Sequence, residues 1–124
     1  MKPLLFASLV SLTVLASAAQ AAPSENCFRM SDLRGQRIGN DRTVYFATRN
    51  KQVFRLDMTS ACLAGAAFSD PLVLERAGGT DRVCKPIDLD VRVQNPIGSS
   101  ACVIQSITRM TPAEVEALPK RLRP

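Results

Sequence analysis

A small, mainly β domain held by disulfides is the fold class that this sequence predicts, and three observations predict it. Short runs rich in Val, Ile, Tyr, Phe and Thr recur between clusters of Gly, Pro, Asn and Asp, the pattern of strands and turns. Only one short stretch, residues 111–118, carries helix signals. Four cysteines (Cys27, Cys62, Cys84, Cys102) follow an export leader, and an even number in an exported chain predicts two disulfides. The expected architecture is five or six short antiparallel strands, as one small sheet or an OB-like half-open barrel, with a short C-terminal helix.

The leader comes first. Lys2 is a minimal positive region, residues 4–15 are an apolar run diluted by Ser8, Ser11 and Thr13, and Ala19-Gln20-Ala21 fits an A-x-A cleavage site. The run is short for a membrane span, which needs about 20 predominantly apolar residues. Residues 1–21 are therefore expected to be a cleaved signal peptide. Residues 22–118 form one small domain and residues 119–124 a basic C-terminal tail expected to fray. Cys27 lies in no lipobox, so the product is expected to be soluble and periplasmic or secreted. A domain this small buries only about 60–68% of its unfolded surface, so two bridges at about 2–4 kcal/mol each matter to its stability.

The strands follow in order. Residues 27–30 are a first strand, 31–35 a turn, and 36–38 resume extended structure. Thr43–Thr48 and Val53–Met58 read as a hairpin. A two-residue Asn50-Lys51 turn would set Tyr45 opposite Leu56 and Ala47 opposite Phe54. A loop one residue longer would flip the register and bring Val44 and Phe46 into line with Phe54 and Leu56. Residues 59–70 are a compact Ala/Gly-rich loop pinned at Cys62, and Leu72–Arg76 is a strand. Gly78-Gly79-Thr80-Asp81 is a turn. In residues 87–93, Leu89, Val91 and Val93 alternate with Asp88, Asp90 and Arg92, the cleanest two-residue period in the chain. Residues 95–100 are a polar loop and 102–110 the last strand. Thr111 is an N-cap, Pro112 opens the helix, Glu114 completes a capping box and Pro119 ends it. At two turns, this helix is expected to need docking on the sheet.

The order of features resembles a known family. Cys27-Phe28-Arg29 leads to Asn40-Asp41-Arg42-Thr43-Val44, which runs into Val53-Phe54-Arg55. Cys62 with Leu63 and Phe68, Val83-Cys84 with an aspartate just after, and Cys102 complete the likeness. Together these resemble an uncharacterised, domain-of-unknown-function family of small exported proteobacterial proteins with four cysteines. Asp88 lies one position further from Cys84 than that family's aspartate. The resemblance implies export, a disulfide-held fold and no particular activity.

Composition narrows the chemistry. The chain has no histidine, which removes Ser-His-Asp and Cys-His catalysis and the usual neutral-pH acid or base. No C-x-x-C pair exists for zinc or for thiol exchange. The expectation is no catalytic residue, no metal and no cofactor. Net charge is +5, or +4 once Lys2 is removed with the leader, but the cations are spread singly and often beside acids. With one Tyr and no Trp, stacking platforms for nucleic acid are missing, and no nucleic-acid partner is expected.

Four candidate features remain. Asp88 and Asp90, at strand spacing, would place two carboxylates about 7 Å apart on one face, a geometry shared by carboxylate hydrolases and solvated strands. Asp81, Asp88 and Asp90 lack the dense oxygen ligands that calcium needs. Gly78-Gly79, flanked by Arg76 and Arg82, could hold an anion. Lys120, Arg121 and Arg123 would give a weak attraction to anionic lipid surfaces. Function is then expected to be that of a monomeric, non-enzymatic binding or structural module of the envelope, with a protein or envelope component as partner. The alternatives are an inhibitor of a secreted lysozyme or protease, acting through the loop 95–100, and a carboxylate hydrolase. For the disulfides, Cys62–Cys84 and Cys27–Cys102 are the pairs expected, because first and last strands often neighbour in a small barrel.

Overall fold

The computed structural model describes residues 26–95 and 98–124, so the expected leader and the central loop residues Pro96 and Ile97 lie outside the described part. Nine strands occur in chain order among the described residues: β1 (Phe28–Arg29), β2 (Leu33–Ile38), β3 (Thr43–Thr48), β4 (Val53–Met58), β5 (Leu72–Arg76), β6 (Arg82–Val83), β7 (Leu89–Asn95), β8 (Gly98–Cys102) and β9 (Ile104–Arg109). One helix, α1 (Pro112–Ala117), follows. The strands form a four-stranded sheet ordered β2-β3-β4-β9, a three-stranded sheet ordered β5-β7-β8, and a two-stranded β1-β6 pair. Every pairing is antiparallel. The mainly β class with a short C-terminal helix and two disulfides is therefore the fold adopted, with open sheets and no closed barrel among the described residues.

The β3–β4 hairpin organises the core, and it takes the second of the two registers considered. Val44 pairs with Leu56 and Phe46 with Phe54, and all four are buried. The connection has three residues, closed by Thr48 N–H to the Gln52 carbonyl and Lys51 N–H to the Thr48 carbonyl, both 2.9 Å. Three-residue hairpins place their third residue in the left-handed region, and Lys51 has φ +62°. A non-glycine residue there costs about 1 kcal/mol. Lys51→Gly is therefore expected to raise the thermal midpoint slightly and Lys51→Val to lower it, as scanning calorimetry would read.

One buried cluster draws on all three sheets: Phe28 and Val83 from the short pair, Phe46, Phe54, Leu56 and Ile107 from the four-stranded sheet, Leu89, Val91 and Val93 from the three-stranded one. The Phe28 and Phe54 rings meet at 5.1 Å between centroids. On the opposite face of the four-stranded sheet, Asp57 ties three strands together. It accepts from Thr43 Oγ1 at 2.9 Å, Arg55 Nε at 3.0 Å and Ser106 Oγ at 3.4 Å.

The disulfides correct the expected pairing: they join Cys27 to Cys84 and Cys62 to Cys102. First and last strands are not neighbours, because β9 pairs with β4. Instead β1 pairs with β6, Phe28 opposite Val83, which sets the flanking residues Cys27 and Cys84 with Cα atoms 4.2 Å apart. At the other bridge, Thr59 N–H donates to the Val103 carbonyl at 2.9 Å, holding the loop after β4 against the end of β8.

Several segments differ from the sequence expectation, including residues 33–35, expected as a turn but part of β2, and residues 98–100, expected as a loop but part of β8. The stretch 102–110 is two strands, because the chain leaves the three-stranded sheet after Cys102 and enters the four-stranded sheet at Ile104. Residues Pro86–Asp88 form a single 3-10 turn, so the strand begins at Leu89 and Ile87 is outside it. The C-terminal residues, expected as a frayed tail, are placed on the sheet: Lys120–Leu122 form a 3-10 turn beside β2, and the Pro124 backbone lies against Gly35. The capping box of α1 forms as expected, with Glu114 N–H to Thr111 Oγ1 at 3.3 Å and Thr111 N–H to Glu114 Oε2 at 2.7 Å. The helix buries no residue against a sheet. Arg123 holds its other end, donating from Nε to the Leu118 carbonyl at 3.0 Å and from Nη2 to the Glu116 carbonyl.

Candidate functional site

Along β7, successive side chains alternate between faces. Leu89, Val91 and Val93 enter the core, leaving Asp90, Arg92 and Gln94 on the outer face. The β7–β8 register continues this exposed face into β8, with Arg92 opposite Ala101 and Gln94 opposite Ser99. At one end lies a groove of about 410 Å³ whose walls include Ile87, Asp90, Arg92, Ala101 and Val103. Ile87 is 80% exposed and Val103 64%, and of the described large apolar residues only Phe68 is exposed besides them. Two solvated aliphatic side chains in one groove, between an acid and a base, make the arrangement of a small binding surface: an apolar centre with a polar rim.

Local chemistry puts both aliphatics there. Pro86 and the Asp88 carboxylate, which accepts N–H groups of Cys84 at 3.0 Å and Lys85 at 2.9 Å, wind residues 86–88 into a turn that throws Ile87 outward. Val103 sits at the corner between two sheets, with its carbonyl bound by Thr59 and its side chain left in solvent. Ile87 keeps phase with Leu89, Val91 and Val93, so periodicity assigns it to the core. Pro86 was the one sequence signal that the strand starts later.

The carboxylate pair read from the sequence does not form as expected. Asp88 stands in the 3-10 turn, occupied by two backbone amides, and Asp90 stands on the sheet. The acid facing Asp90 is Glu75, directly opposite on β5, and both are exposed. Among the described residues no group of three or more acidic or cysteine side chains is placed to hold a metal ion.

The proposed binding cations fall in two separate places. Arg76 and Arg82 flank the Gly78-Gly79 turn, where both glycines have positive φ, +87° and +79°. Arg82 Nε also lies 3.3 Å from Cys84 Sγ, and Arg76 and Arg29 act on Asp81. Lys120 and Arg121 are exposed on the terminal 3-10 turn, while the Arg123 guanidinium is engaged with carbonyls at the end of α1. The candidate loop 95–100 is the end of the β7–β8 hairpin, and its residues 98–100 are strand.

Three carboxylates are held below their ordinary range. The Ser31 hydroxyl does this for Asp81, aided by Ser31 N–H and nearby arginines, and the Cys84 and Lys85 amides do it for Asp88. The Thr111 amide and hydroxyl do it for Glu114. A carboxyl depressed in the folded state stabilises the fold at pH values above its unfolded pKa and loses that contribution as pH falls through the folded value. The thermal midpoint is therefore expected to hold at neutral pH and to decline as pH drops below about 4. Asp88→Asn should make that decline shallower.

Comparison with protein-family models, curated proteins and solved structures returned no match for the chain.

Proposed function

We propose that this chain is an exported, periplasmic or secreted binding module of the cell envelope, non-enzymatic, and a member of the small four-cysteine exported family that its feature order resembles. Its partner is a protein, engaged through the groove beside β7 and β8. The observation that carries this reading is the convergence of Ile87 and Val103, both exposed, in one groove. Burying two aliphatic side chains of this size favours association by about 1.5–3 kcal/mol each when they are fully covered. The two disulfides fit an oxidising compartment. Among the described residues, no helix is long and apolar enough to cross a membrane.

The test is capture from periplasmic extract by the oxidised protein, run beside Ile87→Asp and Val103→Asp. Both side chains are solvated, so the variants should keep the parent thermal midpoint. A specific protein retained by the parent and lost by both variants is the expected result. Capture that is indifferent to both substitutions would overturn the reading. A captured lysozyme or protease would identify the module as an inhibitor.

A further inference from the structure

The free edge of β8 is a second feature, adjoining the groove at Ala101. β8 is the outer strand of its sheet, and residues 98–101 are all exposed. Its backbone polarity can be read from its end: the Val103 carbonyl is taken by Thr59 N–H, outside β7, at 2.9 Å. Alternation along a strand then directs the N–H and C=O groups of Ser99 and Ala101 outward too. The Asn95–Gly98 pair that closes the hairpin gives the same phase. Sheet edges are ordinarily guarded by charges, proline, bulges or covering chain. β2 is guarded by Arg34 and Arg37, and by the segment that accepts Ile38 N–H at the Phe68 carbonyl, 3.0 Å. β5 carries Glu75 and Arg76 and follows Pro71. The outward Arg109 N–H of β9 is taken by Asn26 Oδ1 at 2.9 Å. Gly98-Ser99-Ser100-Ala101 has none of these guards.

We infer that this edge pairs with the same edge of a second copy, making the protein a two-fold dimer in place of the expected monomer. Two copies of a chain with net charge +5 repel wherever cations meet, and β8 is an edge without a charge. The two-fold register that exchanges outward groups sets Ser99 opposite Ala101 of the second copy, with the two Ser100 residues facing each other on the axis. Along the outer face the rows then run Arg92, Ala101, Ser99, Gln94 from one copy into the other, so no like charges face across the seam. Small side chains allow the close approach. The two-fold axis stands perpendicular to the joined six-stranded sheet, so both Ile87–Val103 grooves open on one side. Ala101 belongs to both seam and groove, so Ile87→Asp and Val103→Asp, which lie outside the seam pairing, are the variants that separate partner capture from dimer formation.

Sedimentation equilibrium of the oxidised protein over a hundredfold concentration range tests this. The mean mass should climb from one chain toward two. Ala101→Pro removes an outward N–H without touching the β7–β8 ladder and should hold the mass at one chain, while Val103→Asp should leave the climb unchanged. Hydrogen exchange covers the case in which Ala101→Pro fails to fold: in the parent, the Ser99 and Ala101 amides should exchange several-fold more slowly at high concentration. A mass fixed at one chain, undiminished dimerisation of folded Ala101→Pro, or concentration-independent exchange at both amides would each overturn the inference.

Discussion

Reducing both disulfides is expected to unfold this protein near body temperature. The bridges join residues 57 and 40 positions apart, and loops of that length carry a chain-entropy contribution of about 4 kcal/mol each. Small domains have a total stability of only about 5–15 kcal/mol, so losing both removes most of it. The two bridges act on different parts. Cys62–Cys102 fastens the loop after β4 to β8, across the junction of the two larger sheets, and the Cys102 side chain is buried. Cys27–Cys84 fastens the two-residue strands β1 and β6 at one end, while Met30 N–H to the Asp81 carbonyl and Ser31 to the Asp81 carboxylate tie them at the other. Urea titration should give a midpoint well below that of the oxidised protein when either cysteine pair is replaced by serine. The fully reduced chain should show no cooperative transition at 37 °C. An unchanged midpoint after complete reduction would contradict this.

Phe54→Ala should be the most damaging single substitution in the core, at about 3–5 kcal/mol. Phe54 is fully buried, faces Phe46 across the hairpin and touches the Phe28 ring. Its removal opens a cavity where the four-stranded sheet meets the β1–β6 pair, and the disulfide at Cys27 limits how far β1 can move to fill it. A double-mutant cycle of Phe28→Leu with Phe54→Leu should return a coupling of about 0.5–1.5 kcal/mol, the range for aromatic pairs in contact. A coupling near zero would place the two rings in independent environments.

What the sequence made legible was local. The β3 and β4 strands, the capping box at Thr111 and Glu114, and the Gly78-Gly79 turn each follow from residues within a few positions of one another. The hairpin register turned on a single loop residue, and Lys51, which has no glycine's freedom, hid its left-handed conformation. Disulfide pairing depends on which distant strands are neighbours. Two-residue strands such as β1 and β6 leave almost no pattern from which to read that. The groove was obscured for a related reason: Ile87 fits the alternation of β7, and Pro86 with the Asp88 carboxylate binding two amides takes it off the strand. Arg123 likewise read as one cation in a tail, because its carbonyl partners lie on the preceding helix.

The central claim is that two particular bridges join these sheets into one body. Tryptic mapping of the unreduced protein by mass spectrometry tests it most directly, since a Lys or Arg lies between every two successive cysteines. The map should contain peptides linking Cys27 to Cys84 and Cys62 to Cys102. Peptides linking Cys62 to Cys84 and Cys27 to Cys102, or four free thiols, would contradict it.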